Sequence, residues 1–138
     1  MDEVVDETYR PSEDEPYMNP RQTAYFRRKL LHWRDEILRG SGMTLRQLQE
    51  EDKRLADVSD WASAEAQRNF ELRTRDRERK LLNKIQAALQ RIEDGTYGYC
   101  EDTQEPIGLR RLDARPIATL SIEAQERHER REQVYREE

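Results

Sequence analysis

The stretch Ala56-Asp57-Val58-Ser59-Asp60-Trp61-Ala62 decides the fold, because it divides two long segments whose apolar residues recur at helical spacing. Steps of three and four residues put each set on one face of an α-helix. The two segments are nearly equal in length, and only this short polar stretch joins them. A long antiparallel coiled-coil hairpin with its tip at 56–62 is therefore predicted. The upstream face reads Phe26, Leu30, Trp33, Ile37, Ser41, Thr44, Leu48 and Leu55, and the downstream face reads Ala66, Phe70, Thr74, Arg77, Leu81, Ile85, Ala88 and Ile92.

Turn and capping signals mark where the hairpin begins and ends. Asn19-Pro20 suits a helix start, because Asn caps free backbone N–H groups and Pro is favoured at the first helical position. Gly95 is a suitable C-cap glycine for the second helix. Beyond it, two β-prone runs predict a short β-hairpin in a small globular base, at 96–100 and 107–112. The predicted domains are an acidic, disordered or loosely docked leader at 1–18, the hairpin at 19–95, a degenerate zinc-finger-like base at 96–120 and a C-terminal helix at 121–138.

The first helix contains a weak point at Gly40-Ser41-Gly42. Each glycine inside a helix costs about 1 kcal/mol relative to alanine. On the opposite arm, the run Arg73–Lys80 has no apolar side chain, so arginine stems are expected to cover this level of the seam. The sequence leaves a kink possible, and we favour a continuous but soft helix from Pro20 to about Arg54.

Composition favours a slender helical protein over a thick globular one. Charged residues make up 40% of the 138 residues and hydrophobic residues 34%, which suits one buried stripe per helix. No run is apolar enough to span a membrane, and the N-terminus lacks the features of a signal peptide, so a cytoplasmic location is predicted. The single cysteine, Cys100, excludes an internal disulfide and fits a reducing compartment.

The charge distribution argues against tight binding to duplex DNA. Residues 1–15 contribute −6 to a net charge of −5, which leaves +1 for the rest of the chain. The sequence has no nucleophile–base pair and no glycine-rich phosphate loop, so it does not predict an enzyme.

Several collinear stretches resemble the DksA/TraR family of RNA polymerase-binding transcription regulators, and the similarity covers about residues 17–135. The family fold is a long coiled-coil hairpin, a small globular base and a C-terminal helix, in agreement with the periodicity. The matching stretches are Tyr17-Met18-Asn19, Phe26–Leu30, Glu71–Leu81, Tyr97–Cys100 and Ile107–Pro116.

The resemblance implies a function as well as a fold. Family members insert the coiled coil into the secondary channel of bacterial RNA polymerase. With the alarmone ppGpp they repress ribosomal RNA promoters and stimulate some biosynthetic promoters in the stringent response. Such a regulator has no direct sequence-specific DNA binding and no membrane partner, and an intramolecular hairpin favours a monomer.

The tip matches the family pattern Asp-x-x-Asp-x-Ala at Asp57, Asp60 and Ala62. From residues alone, N-capping is the favoured role of these carboxylates. The resemblance instead favours Asp60 acting on polymerase groups near the active centre, and both roles are compatible. Trp61 departs from the residue expected there and is either an added contact or a cover for the turn. The family resemblance also implies that Arg73 and Arg77 contact the channel rim.

The family's zinc-finger positions correspond to Cys100, Thr103, Ser121 and Ala124. One thiolate of four cannot close a tetrahedral structural zinc site, so a cysteine-poor, zinc-independent type without bound metal is predicted. For Cys100, a packing role is favoured over a redox role. The base must then be held by packing, with candidates Tyr97, Tyr99, Ile107, Leu109, Leu112, Ile117, Leu120 and Ile122.

The resemblance further implies that ppGpp binds at the junction of the base and the polymerase. Lys84 and Arg115 match two basic positions of that site, whereas Gln125 replaces a third. Losing one cationic donor weakens a grip on phosphate, so reduced ppGpp dependence is expected. Two alternatives stay open. They are a factor that stimulates transcript cleavage through its acidic tip and a generic coiled-coil adaptor.

Overall fold

The computed structural model describes residues 6–42, 44–47, 50 and 70–137. Predicted tip residues Asp57, Asp60, Trp61 and Ala62 lie outside the described residues. The described chain is mostly helical, as predicted, and none of its helices has an apolar run long enough to cross a membrane. Within the described residues, the helices with defined bounds are α1 (Pro20–Ser41), α2 (Phe70–Asp94), α3 (Leu109–Ala114) and α4 (Ile122–Glu137).

The chain forms two compact units. The base unit contains the described residues up to Leu30 and those from Ala88 onward, and the arm unit spans Leu31–Ala87. In the base unit the beginning of α1 lies beside the end of α2, since Arg27 Nε and Glu93 Oε1 are 4.0 Å apart. An antiparallel hairpin requires this arrangement.

Asn19 starts α1 as predicted. Its Oδ1 accepts the Gln22 backbone N–H at 2.8 Å, which satisfies one of the free donors at a helix start. The Gln22 side chain is fully buried and reaches back, accepting the Met18 N–H at 2.8 Å and donating to the Ser12 carbonyl at 3.1 Å. This reciprocal pattern fixes the direction in which the chain enters the helix.

The described part of the leader, residues 6–18, contacts α1. The Arg21 guanidinium lies over the Tyr9 ring, 4.2 Å from its centroid, and the Tyr9 hydroxyl donates to Glu15 at 2.7 Å. Glu7 pairs with Arg28 at 3.1 Å. The prolines and acids read as signs of disorder, but aromatic and charged partners on α1 hold them.

The first helix ends at Ser41, so the expectation of a continuous helix to about Arg54 is wrong. Gly42 has a φ of +68°, in the left-handed region that glycine tolerates, and its N–H donates to the Leu38 carbonyl at 3.1 Å. Thr44 and Gln47 then form a capping box, with Thr44 N–H donating to Gln47 Oε1 and Gln47 N–H to Thr44 Oγ1. A helical turn restarts at 45–47.

In the arm unit, the buried face of α2 differs from the predicted stripe. Leu82 and Ile85 are buried, but the predicted Arg77 is exposed and Arg79 is 9% exposed instead. Asp76 makes ion pairs with Arg79 and, at 3.1 Å, with Lys80. The run Arg73–Lys80 has no apolar residue. The aliphatic stem of Arg79 is therefore buried in the seam between the helices, as the sequence suggests, while its charge is paired with Asp76.

The second helix ends at Gly95, as predicted. Gly95 has a φ of +78°, and the Thr96 N–H donates to the Arg91 carbonyl at 2.9 Å while the Gly95 N–H donates to Ile92 at 3.2 Å. These two bonds make a Schellman motif, which satisfies carbonyls left free at the end of α2.

The predicted β-hairpin of the base is reduced to one antiparallel bridge, between Tyr99 and Pro106. The run 107–112, predicted as a strand, instead contains the start of α3. Leu109 and Leu112 are three residues apart, and this spacing puts both on one helical face, where Leu112 is fully buried. The helical spacing of Leu109 and Leu112 therefore indicates the structure of 107–112 better than its β-branched residue, Ile107, does.

The base core contains four of the eight predicted packing residues, Tyr97, Ile107, Leu112 and Ile117. Phe26 is fully buried, with its ring centroid 5.7 Å from that of Tyr97. Two predictions are wrong: Tyr99 is 38% exposed and Ile122 is 53% exposed. Leu109 and Leu120 are half-buried. The fully or nearly buried apolar residues of this unit are Phe26, Leu30, Ala88, Tyr97, Cys100, Ile107, Leu112, Ile117, Ala118 and Ala124.

Gly98 is the tightest backbone position in the base. Its φ is +93°, and a Cβ there would lie 3.0 Å from Met18 Cγ and 3.2 Å from the Tyr17 hydroxyl oxygen. That hydroxyl donates to the Gly98 carbonyl at 2.7 Å and accepts the Gly108 N–H at 3.0 Å. Glycine is therefore required both by conformation and by close approach of the leader.

Gly98→Ala is expected to destabilise the base by about 1–3 kcal/mol, from backbone strain and the crowding of Met18 and Tyr17. For a chain of this size the melting temperature should fall by roughly 3–10 °C, measured by circular dichroism. Gly40→Ala is the matched control. Its added Cβ meets nothing within 4 Å, so stability should be equal or higher. Equal melting temperatures for native and Gly98→Ala protein would contradict the assigned role of Gly98.

Candidate functional site

The structure gathers the four zinc-finger positions at one place in the base unit. Cys100 is 1% exposed and follows the Tyr99–Pro106 bridge, and Ser121 and Ala124 stand at the start of α4. Ser121 caps that helix, since its Oγ accepts the Ala124 N–H at 3.2 Å. Thr103, in the loop after Cys100, is half-buried.

Neighbouring hydrogen-bond donors favour the thiolate form of the buried Cys100. Burial raises the pKa of the thiol, but the donors outweigh this effect. They are the Ser121 backbone N–H, the Thr103 hydroxyl and N–H, and the Asp102 N–H, and together they lower the pKa to about 6. Groups in the loop after Cys100 and at the start of α4 therefore both influence the ionisation of this thiol.

The donor set does not fit a structural zinc ion. It provides one thiol, two hydroxyls and a methyl group, whereas a closed zinc site of this kind uses four thiolate or imidazole ligands. Within the part of the chain that the structure describes, no group of three or more histidine, cysteine or acidic residues is placed to hold a metal. Ser121 instead caps α4, and Ala124 is fully buried.

Other contacts join the loop after Cys100 to the segment that leads into α4. His128 Nε2 and Asp102 Oδ2 are 2.7 Å apart, and the Glu101 N–H donates to the Thr119 carbonyl at 2.9 Å. A cleft of about 380 Å³ lies here, lined by Asp102, Thr103, Arg127, His128 and Arg131. Asp102 and His128 are 26 residues apart, so no local signal in the sequence marks this contact.

Arg115 lies on a short irregular segment after α3, between two anchored points. Its N–H donates to the Arg111 carbonyl at 2.8 Å, and its carbonyl accepts the Ala118 N–H at 3.0 Å. The buried Tyr97 hydroxyl donates to the Pro116 carbonyl at 2.8 Å. The Arg115 residue is exposed, and its guanidinium has no hydrogen-bond or ion-pair partner among the described residues.

A polar network links α1 to the last turns of α3. The Lys29 ammonium donates to Asp113 Oδ1 at 2.8 Å and to the Asp113 carbonyl at 2.6 Å, and the Tyr25 hydroxyl donates to the same Oδ1 at 2.6 Å. The Lys29 and Tyr25 hydrogen bonds hold the pKa of Asp113 below its usual value. Burial and then Asp113 raise the pKa of Tyr25 to about 12. Sequence reasoning missed this network entirely.

The remaining predicted site residues are placed as follows. Arg73, Arg77 and Lys84 are exposed on α2 in the arm unit. Gln125 is half-buried on α4 in the base unit, and its Nε2 donates to Glu129 Oε1 at 3.3 Å. Their roles remain predictions.

Two family models match the chain. The first, DnaK suppressor protein DksA, N-terminal domain, matches residues 22–92. The second, prokaryotic dksA/traR C4-type zinc finger, matches residues 95–130. The matched segment has a cysteine only at position 100, so it retains the family pattern without its thiolate set.

Curated relatives match nearly the whole chain. The RNA polymerase-binding transcription factor DksA of Caulobacter vibrioides strain NA1000 / CB15N is 64% identical over 129 residues, which is 94% of this chain and 91% of that protein. The Escherichia coli K12 protein of the same name is 43% identical over 126 residues, covering 91% of this chain and 83% of that protein.

The solved structure of transcription factor DksA2 from Pseudomonas aeruginosa is also similar. It is 44% identical, with a TM-score of 0.64, over 87% of this chain and 95% of that one. The fold described above and this structural match therefore agree.

Proposed function

This chain belongs to the DksA family, and from that premise we propose that it is a transcription regulator that binds bacterial RNA polymerase through the secondary channel. The observation that carries the proposal is 64% identity over 94% of the chain to a protein named as an RNA polymerase-binding transcription factor. The protein works as a binding partner, with no chemistry of its own, in the cytoplasm and as a monomer. It acts without direct sequence-specific contacts to DNA.

The proposed mechanism is steric and electrostatic. The helical hairpin enters the channel, exposed Arg73 and Arg77 on α2 contact its rim, and the tip carboxylates bias the stability of promoter complexes. Asp60 is the residue proposed to carry this effect, with Asp57, Trp61 and Ala62 beside it. A carboxylate suits the role because its charge-assisted hydrogen bonds are about twice as strong as neutral ones.

We propose that ppGpp is the effector of the complex, gripped by Lys84 and Arg115 and weakly by Gln125. The support for Arg115 is that its guanidinium is exposed and unpaired in the described chain, so its donors are available to phosphate oxygens. Gln125 offers a neutral amide at the third position. The expected outcome is repression of ribosomal RNA promoters and stimulation of some biosynthetic promoters, with reduced dependence on ppGpp.

Gln125→Lys is expected to strengthen ppGpp binding by the polymerase complex. A charged donor adds about 1.5–3 kcal/mol where a phosphate accepts it, and discounting for exposure we expect roughly a three- to tenfold lower dissociation constant. Equilibrium binding of labelled ppGpp to the assembled complex measures it. Glu126→Gln, which also raises the charge by one at the neighbouring exposed position, is the matched control. Equal affinities for native and Gln125→Lys complexes would remove Gln125 from the site.

We also propose that this family member folds and acts without zinc. The support is chemical: the four positions supply one thiol, and donors at Ser121, Thr103 and Asp102 lower the pKa of that thiol. The Asp102–His128 contact joins the loop to α4. Packing and these hydrogen bonds then do what a metal crosslink does in a C4-type finger.

Transcription in vitro from a ribosomal RNA promoter tests the proposed function. Purified polymerase is assayed with and without the chain and ppGpp, and inhibition that increases with ppGpp supports the proposal. Because the tip is acidic, transcript-cleavage stimulation is the second candidate function. Faster cleavage in stalled complexes without promoter inhibition would favour it, and no effect in either assay would favour a generic adaptor.

A further inference from the structure

The segment that bears Arg115 has an unusual combination of a free side chain and a fixed backbone. The residue has φ −141° and ψ 84° and lies outside α3, where irregular chain is ordinarily the least constrained. A donor presented from loose chain loses affinity, because binding must then order the segment. What fixes the backbone around Arg115 therefore matters to any ligand that it binds.

The downstream side of the segment is held from within the core. The Tyr97 ring is 3% exposed, and its hydroxyl donates to the Pro116 carbonyl at 2.8 Å. Pro116, Ile117 and Ala118 are themselves buried. This anchor belongs to the folding core, so removing it would change stability as well as position.

The upstream side is held from the surface of α1. Lys29 reaches across to α3 and donates to both the backbone carbonyl and the side chain of Asp113, at 2.6 Å and 2.8 Å. An ammonium at a helix C-terminus also complements the partial negative charge of the last carbonyls. Asp113 is two residues before Arg115, so this contact fixes the end of α3 where the chain leaves it.

We propose that Lys29 is a positioning residue for Arg115, acting through Asp113 to hold the backbone from which the Arg115 guanidinium is presented to ppGpp. The inference rests on the proposed function of Arg115. Lys29 itself does not touch the ligand in this scheme. Tyr25, which donates to the same Asp113 oxygen at 2.6 Å, supports the network from the neighbouring turn of α1.

The position of Lys29 separates positioning from folding. Its side chain is 37% exposed and that of Asp113 is 52% exposed, and partly exposed ion pairs contribute little to stability. Replacing Lys29 by methionine keeps a long unbranched side chain and the helix propensity, while it removes the ammonium donors. The variant is therefore expected to fold normally and to lose only the two hydrogen bonds that Lys29 donates to Asp113.

Amide hydrogen exchange of the free protein tests the positioning step. In Lys29→Met, the Arg115 and Ala118 amides should exchange faster than in native protein, and the pKa of Asp113, read by NMR, should rise towards its usual value. Arg28→Met is the matched control, because Arg28 is the adjacent residue and pairs with Glu7 in the leader at 3.1 Å. Unchanged exchange in Lys29→Met would overturn the proposal.

Affinity of the polymerase complex for ppGpp tests the functional step. Lys29→Met should weaken binding roughly three- to tenfold, the size expected when one donor is no longer pre-ordered, and Arg28→Met should not. In an Arg115→Ala background, Lys29→Met should have no further effect, because coupled residues are non-additive. An equal loss in both backgrounds, or no loss in native background, would overturn the proposal. If Arg115→Ala alone changes nothing, the proposed function of Arg115 fails, and amide exchange alone decides whether Lys29 holds the segment.

Discussion

Replacing Thr103, Ser121 and Ala124 together with cysteine is expected to create one tight zinc site in a chain that we propose binds no zinc. Ser121 and Thr103 lower the pKa of the Cys100 thiol as neighbouring donors, and the Ala124 N atom is 3.2 Å from Ser121 Oγ. The fold therefore places the four positions close together. Four thiolates in this arrangement supply the tetrahedral set that zinc requires.

The expected effect is large because structural zinc sites bind with an apparent free energy of about 10–16 kcal/mol in zinc-finger peptides. Here the base is already folded, so this energy should appear mainly as affinity and as a raised melting temperature. Zinc content after dialysis, measured by inductively coupled plasma mass spectrometry, should be near one ion per chain in the triple variant and near zero in native protein. A chelator should lower the melting temperature of the triple variant only.

The matched control is Thr103→Ser with Ala124→Ser, which alters two of the positions without adding thiolates. It should bind no zinc and keep the native fold. A native protein that retains one zinc ion, and unfolds when a chelator removes it, would contradict the zinc-free proposal. A triple variant that binds no zinc would contradict the arrangement of the four positions.

Local signals predicted the helix ends that local chemistry controls. Asn19-Pro20 starts α1, and Gly95 ends α2 in a Schellman motif. Each of these ends uses a side chain or a glycine conformation within a few residues of the helix, so the sequence contains the whole cause.

Helical signals that compete with each other were harder to weigh. Gly42 ends α1, and the capping box of Thr44 and Gln47 starts a new helical turn beyond it. The T-x-x-Q pattern of this box was present in the sequence. Leu109 and Leu112 have helical spacing, yet a β-prone composition concealed α3. In both places a short motif outweighed the average character of the surrounding run.

Long-range contacts could not be predicted from one sequence. Asp102 and His128 are 26 residues apart, and Lys29 and Asp113 are 84 residues apart. Neither pair has a periodicity or spacing that marks it. The resemblance to a family indicated which positions matter at the zinc-finger-like site, but the hydrogen bonds around that site depend on how the base packs.

Asp60→Asn is expected to abolish most inhibition of a ribosomal RNA promoter while leaving polymerase binding intact. The substitution keeps the size of the side chain and its ability to cap a helix, but it removes the charge. Charge-assisted hydrogen bonds contribute about 1.5–3 kcal/mol. The factor by which the protein changes the equilibrium constant of the promoter complex should therefore fall roughly 10- to 100-fold. Glu36→Gln, at an exposed position of α1 outside the tip, is the control for a general loss of negative charge.

The most direct test of the account is therefore transcription in vitro from a ribosomal RNA promoter with native and Asp60→Asn protein. Both proteins are used at concentrations where they occupy polymerase equally, established beforehand by direct binding. The account predicts that native protein inhibits and that Asp60→Asn does not. Equal inhibition by the two would reduce Asp60 to a helix cap and attribute the effect to channel occupancy. No inhibition by native protein would contradict the proposed function.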